Sequence, residues 1–229
     1  KSRGVNPLPF TLFHMDFKKM AVKELVEGFG NFRKRFFEKD PALFADLVEN
    51  GQHPKVAIVA CADSRVSPSV LLQASLGSLF VIRNVANMVP PPSAIAGNAT
   101  IAGLEYAVLG LGVEHIVVLG HSHCGGIHAL IEGPSKTAET FPHVTEWVSA
   151  FEPARRRALE NLGDVGETET ARCMEKAAIA ASLENLRGYP WVSSRLDAGT
   201  LRLHGWYFEL AVGKLSQFDE GNGEFATLV

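Results

Sequence analysis

Cys61, His121 and Cys124 offer two thiolates and one imidazole, a donor set that binds zinc tetrahedrally. Three protein ligands leave the fourth position to water, the arrangement of a catalytic zinc site. His121 and Cys124 are three residues apart at the start of an expected helix, so both can face one point, and Cys61 must arrive from a different strand. Asp63 and Arg65 stand beside them, two apart on a loop, where carboxylate and guanidinium can pair in bidentate fashion. Gly125-Gly126 would let backbone N–H groups approach an anion at a helix N-terminus. Each feature also has an ordinary reading: an exposed ion pair worth little, or a glycine turn that starts a helix. Beside a metal, the Asp63–Arg65 pair has two further uses. It can hold a hydroxide in one orientation, or release Asp63 onto the ion as a fourth ligand.

The elements that must position these groups are short and apolar. Val56 to Ala60 and His115 to Gly120 read as buried strands that stop at the donors. In open α/β sheets, ligands bind just beyond the carboxyl ends of the strands. Leu79 to Ile82 is a further buried strand, and Leu201 to Leu210 is the last core strand, with Gly205 marking a bulge. Helices are expected at 41–49, from Pro68 towards Leu72, and at 94–111, 124–132, 144–151, 154–162 and 168–186. Strands alternating with helices predict an α/β fold: a single domain with a mainly parallel central sheet flanked by helices. From Asp16, apolar residues at Phe17, Met20, Ala21, Leu25, Phe29, Phe32 and Phe36 recur at helical spacing, weakened at Gly28 and Gly30. This N-terminal helix is expected to pack on a partner subunit, and the sequence alone leaves its own domain as the alternative.

Composition narrows the rest. With 229 residues, 46% of them hydrophobic, the chain can bury a substantial core. A formal net charge of -3 gives no electrostatic case for nucleic acid or an anionic membrane. The apolar runs are of strand length or interrupted, so no membrane span is expected. Three cysteines are too few for a disulfide framework. Two of them sit among metal-ligand types, which points to a reducing compartment and a cytoplasmic location, with organelle targeting upstream of the given chain left open. Residues 1–15 read as an N-terminal arm, whose vector origin with Met15 as the natural start is one of two open readings, and 16–229 read as the catalytic domain. Cys173 reads as a small helical side chain, and Trp147, Trp191 and Trp206 as core or interface. His123 is expected to point away from the metal, and His128 could face the cleft. His14, His53, His115, His143 and His204 show no partners in sequence.

Cys61-x-Asp63-Ser64-Arg65 together with His121-x-x-Cys124-Gly125-Gly126 resembles the signature of the β-class carbonic anhydrases, plant-like subgroup. The likeness extends through 80–87 and 103–108 and covers most of the chain from about Asn50 to the last strand. It implies one zinc per subunit on Cys61, His121 and Cys124, with Asp63 and Arg65 as a catalytic dyad. It also implies a role for Gln52, nine residues before Cys61, and an apolar pocket of Phe80, Val85 and Tyr106. In that subgroup the glutamine, phenylalanine and tyrosine come from the neighbouring subunit, so the resemblance implies a homodimer or a multiple of dimers. Some plant members carry a histidine four residues after the tyrosine, where proton transfer has been suspected. Gly110 stands there in this chain. The implied reaction is zinc-dependent reversible hydration of carbon dioxide to bicarbonate and a proton by zinc-bound hydroxide. Gln52 favours the state in which water or an anion, rather than Asp63, holds the fourth position. The alternatives are a related hydrolase acting on carbon disulfide and a non-catalytic zinc module closed by Asp63.

Overall fold

Four apolar runs become the parallel part of a six-stranded sheet: β1 (Val56–Cys61), β2 (Leu79–Asn84), β3 (His115–His121) and β4 (Arg202–Glu209). Strands β5 (Lys214–Asp219) and β6 (Glu224–Thr227) continue it antiparallel, in the order β2-β1-β3-β4-β5-β6. This is a computed structural model, and it describes residues 22–93, 98–162 and 165–229. The sheet and its helices form one compact unit, Gln52–Val229, and the residues before it form another. None of the described helices is long and apolar enough to cross a membrane.

β1 lies between β2 and β3, and Ala57, Ile58, Val59 and Ala60 are all 0% exposed. Ala57 and Val59 join a core with Ile116, Val118, Ile179 and Leu186. Ile58 and Ala60 join Val66, Val117 and Leu119 in another. A strand covered on both faces needs an apolar residue at every position, which accounts for the unbroken Val-Ala-Ile-Val-Ala run. The chain leaves β1 for β2 on one side and returns to β3 on the other. The carboxyl ends of β1 and β3 therefore flank a topological switch point, where sheets of this kind hold ligands.

Helix Glu167–Arg187 lies close against the sheet. A Cβ at Gly120 would stand 2.6 Å from Ile179 Cδ1, and one at Gly205 would stand 2.8 Å from Ile179 Cγ2. The bulge expected at Gly205 is absent. Gly205 pairs in register with Val118, and the ladder runs unbroken from His115 to His121. The glycine serves the close approach of the helix instead.

β5 and β6 were not expected, since Leu201 to Leu210 read as the last strand. β6 has no buried residue, so no hydrophobic period marks it. The signal available was turn chemistry: Gly213 and Gly223 adopt φ of 70° and 74°, a left-handed backbone that glycine accepts at no steric cost. Residues 94–97 of the helix expected over 94–111 lie outside the described residues. Its described part runs Ala99–Glu105, with Asn98 accepting hydrogen bonds from the N–H groups of Thr100 and Ile101 as its N-cap, and continues in a wider turn over Tyr106–Gly110. Short helices at Pro134–Thr137 and Pro190–Asp197 add to those expected.

In the N-terminal unit, helices Val22–Arg33 and Pro41–Glu49 are joined by a wide-turn segment, Lys34–Lys39. Phe32, Phe36, Phe37 and Phe44 form an aromatic cluster, with ring centroids 4.7 Å apart for Phe37–Phe44 and 4.9 Å for Phe32–Phe36. No residue of these helices is buried. The arm 1–15, with Phe17, Met20 and Ala21, lies outside the described residues.

Gly205→Val should lower stability by about 1–3 kcal/mol, because its side chain would drive into Ile179 and Leu183. The expected result is a lower denaturant midpoint at unchanged slope. An unchanged midpoint would show that the helix does not press on the sheet.

Candidate metal centre

The three expected donors converge. Cys61 closes β1, His121 closes β3, and Cys124 is the residue from which helix Gly125–Glu132 starts. Their ligand atoms lie within 4.8 Å of one another. All are buried, at 5%, 1% and 3% exposure. The two sulfurs are 3.8 Å apart. Two thiolates bound tetrahedrally to zinc at about 2.3 Å stand about 3.8 Å from each other.

Protonation supports a cation here. The hydrogen bond from Cys124 holds the Cys61 thiol well below the usual thiol range. The same contact and burial push the Cys124 thiol up. Such a pair yields one thiolate readily and the second only when a cation balances it. His121 Nδ1 lies 2.8 Å from the Ser122 carbonyl, so that nitrogen carries the proton and Nε2 presents its lone pair. Nε2 is buried and has no hydrogen-bond partner among the described residues. An orphaned acceptor beside two sulfurs fits a metal ion.

The loop after β1 is a clamp. Arg65 Nε donates to Asp63 Oδ1 at 2.9 Å, and its Nη2 donates to Oδ2 at 2.7 Å. The Arg65 backbone N–H adds a second bond to Oδ1 at 2.9 Å. These contacts hold the Asp63 carboxyl well below the usual carboxylate range. Arg65 Nη2 also donates to the His123 carbonyl at 3.1 Å, tying the loop to the other half of the centre. Arg83, to which sequence reasoning gave no role, donates to the carbonyls of Cys61, Asp63 and Val66. One guanidinium thus fixes the loop that carries the first thiolate and the acid.

The turn Val85–Asn87 lies against the helix that follows Cys124. Ala86 and Asn87 adopt φ of 66° and 49°, a left-handed backbone that costs a non-glycine residue energy. Asn84 holds the turn by donating to the Met88 carbonyl at 2.8 Å and accepting the Met88 N–H at 3.0 Å. Trp147 Nε1 donates to the Val85 carbonyl at 2.8 Å. A Cβ at Gly126 would stand 2.6 Å from Val85 Cγ1, so this glycine admits the turn. A Cβ at Gly125 would meet nothing within 4 Å.

The remaining residues divide. Val85 follows Asn84, which pairs with Cys61. Phe80 pairs with Ala57, four positions earlier, which puts it roughly 13 Å back along the strand. Tyr106 lies by Phe80, ring centroids 6.0 Å apart, and is 54% exposed. Gln52 is exposed and precedes β1, at the end of the strand opposite Cys61. The Tyr106 ring lies over Gly110, where a Cβ would come within 2.9 Å. His128 is exposed, 3.9 Å from Glu132. His115 and His204, read as partnerless, lie with Nδ1 and Nε2 3.0 Å apart across β3 and β4. Cys173 is half-buried on its helix, with its S–H directed at Glu169.

Comparison with known proteins agrees with this geometry. A family model described as carbonic anhydrase matches residues 56–215. β-Carbonic anhydrase 3 of Arabidopsis thaliana is 37% identical over 211 residues, 91% of this chain and 81% of that protein. The solved structure of the β-carbonic anhydrase CcaA is 35% identical with a TM-score of 0.86, covering 91% of this chain and 92% of that one. One of two tetrameric β-carbonic anhydrases from Sordaria macrospora matches at 26% identity and a TM-score of 0.72, over 86% of this chain and 94% of its own. The chain belongs to the β-class carbonic anhydrases.

Proposed function

We propose that this chain catalyses the reversible hydration of carbon dioxide to bicarbonate and a proton, with zinc held by Cys61, His121 and Cys124. One observation carries the reading: the buried, unpartnered Nε2 of His121 beside two sulfurs 3.8 Å apart. Zinc, when bound, acidifies a water molecule and so supplies a nucleophile near neutral pH.

The protein's own residues do the rest. Asp63, kept ionised by Arg65, accepts a hydrogen bond from the attacking oxygen and turns its lone pair towards the substrate carbon. Asp63 Oδ1 already takes two N–H donors and Oδ2 takes one, so Oδ2 is the freer acceptor. Arg65, by holding both oxygens, also keeps the carboxylate off the metal. Asp63 is not part of the three-donor group among the described residues, which supports an open fourth position over a closed structural site. Carbon dioxide is small and apolar, and Val85 offers it an apolar wall. Gly125 leaves space at the start of the helix, where its own backbone N–H can meet the bicarbonate anion.

Gln52, Phe80 and Tyr106 complete the pocket of a neighbouring subunit in a homodimer or a multiple of dimers. Their placement at the end of the sheet away from Cys61 supports this reading, as do the exposed Tyr106 and the exposed Val22, Leu25, Val26 and Phe29 of the first helix. Gln52 would donate to a substrate oxygen as negative charge develops. Three unpaired cysteines support a reducing compartment, in keeping with the cytoplasm.

Two thiolates cancel the formal charge of zinc, +2 − 2 = 0, so the ion acidifies water less than one held by neutral ligands. Asp63 stays ionised throughout the neutral range because its carboxyl is held low. Activity should therefore rise from neutral to mildly alkaline pH, an inflection that does not come from Asp63. A profile flat from acid to alkaline pH contradicts this. Asp63→Ala and Arg65→Ala should each be purified with about one zinc per chain and lose about 10²-fold or more in kcat by stopped-flow hydration. Loss of the metal instead would make the pair structural. His121→Ala and Cys124→Ser should fall well below one zinc per chain by elemental analysis and lose activity with it. Full zinc in both would overturn the ligand assignment.

A further inference from the structure

Glu175, midway along helix Glu167–Arg187, is 3% exposed. Two groups satisfy it. Tyr207 donates its O–H to Oε2 at 2.8 Å, and the backbone N–H of Cys124 donates to Oε1 at 3.1 Å. The basic residues beside it in its helix are engaged elsewhere. Arg172 pairs with Glu209 at 2.8 Å, and Lys176 lies over the rings of Tyr207 and Phe225. A buried carboxyl group met, among the described residues, only by neutral donors is costly to keep, so its position calls for an account.

Cys124 supplies one. Its N–H is among the donors left without an intrahelical partner at the start of helix Gly125–Glu132. Many helices meet this need with a Glu or Gln at the third helical position. Here Gly125 and Gly126 occupy the first two positions and buried Ile127 the third, so the helix cannot cap itself in this way. Glu175 does so from another helix, with its negative charge at the favourable end of the helix dipole. The chain reaches Cys124 through His123, whose φ of 58° is a left-handed conformation that needs support on both sides. Arg65 grips the His123 carbonyl on one side, and Glu175 grips the Cys124 N–H on the other.

We propose that Glu175 is a positioning residue of the metal centre: it clamps the Cys124 backbone, with Tyr207 aiming the carboxylate, so that the Cys124 sulfur stays where it can ligate. The proposal rests on the reading of Cys124 as a zinc ligand and deepens it. Groups that orient ligands in this way change metal affinity by about 10–100-fold when removed.

The test uses the zinc-loaded protein. It measures zinc release to a chromogenic chelator and, after cobalt substitution, the thiolate-to-cobalt charge-transfer absorption. Glu175→Ala should release zinc about 10-fold faster or more and alter the cobalt spectrum. Glu175→Gln, which keeps one oxygen acceptor, should restore part of the retention, and Tyr207→Phe should shift release in the same direction by less. Leu186→Ala, in the same helix and 0% exposed, should lower stability while leaving the cobalt spectrum unchanged. Wild-type release rates and spectra in the Glu175 variants overturn the proposal. If Glu175→Ala does not fold, Glu175→Gln and Tyr207→Phe decide it: faster release in either supports the clamp, and wild-type behaviour in both overturns it. A wild-type protein that binds no stoichiometric zinc would instead overturn the ligand reading beneath it.

Discussion

Two thiol groups 3.8 Å apart in an apolar enclosure are the constraint on which the rest of the structure turns. Burial and mutual repulsion prevent both from ionising unless a cation shares the space. The surroundings look built to make that shared state the stable one. Cys61 and Cys124 belong to a buried apolar cluster that includes Met88, Ile127, Phe151 and Met174, and the imidazole of His121 is aimed by its own neighbour's carbonyl. The enclosure keeps the local dielectric low, which strengthens the attraction between sulfur and metal and raises the penalty for an empty site.

The acid beside the metal is managed separately. Asp63 could serve as a ligand, a base or a hydrogen-bond acceptor, and these roles compete. Arg65 decides between them by occupying both carboxylate oxygens, while Arg83 holds the backbone beneath. Both arginines use the planar fork that lysine lacks, so a lysine would preserve the charge and lose the arrangement. Strained backbone at Ala86, Asn87 and His123 surrounds the centre, and each strained stretch is tied down by a named side chain: Asn84, Trp147, Arg65 and Glu175.

The donors and the parallel core were legible in the sequence for the same reason. Apolar runs that end abruptly at Cys61 and His121 announce both the strand and its cargo. The supporting shell was not legible, because Arg83, Asn84, Trp147 and Glu175 act on backbone groups, and backbone groups carry no sequence signal. The His115–His204 contact was hidden by register, since His204 stands opposite Val117 rather than His115 and only the paired strands bring the two rings together. The last two strands were missed because the one buried residue of β5 is the polar Ser216 and β6 buries none, and Gly205 misled because a glycine in a strand marks close helix approach as readily as a bulge. Gln52, Phe80 and Tyr106 lie away from Cys61 in this chain, and the pocket proposed for them needs a second subunit, which a single chain's sequence does not assemble.

Zinc K-edge absorption on the loaded protein at neutral pH tests the central claim most directly. The account predicts two sulfur neighbours at about 2.3 Å and two nitrogen or oxygen neighbours at about 2.0–2.1 Å, one of them exchangeable with added small anions. A shell with any other sulfur count, or one closed entirely by protein groups and indifferent to anions, would contradict it.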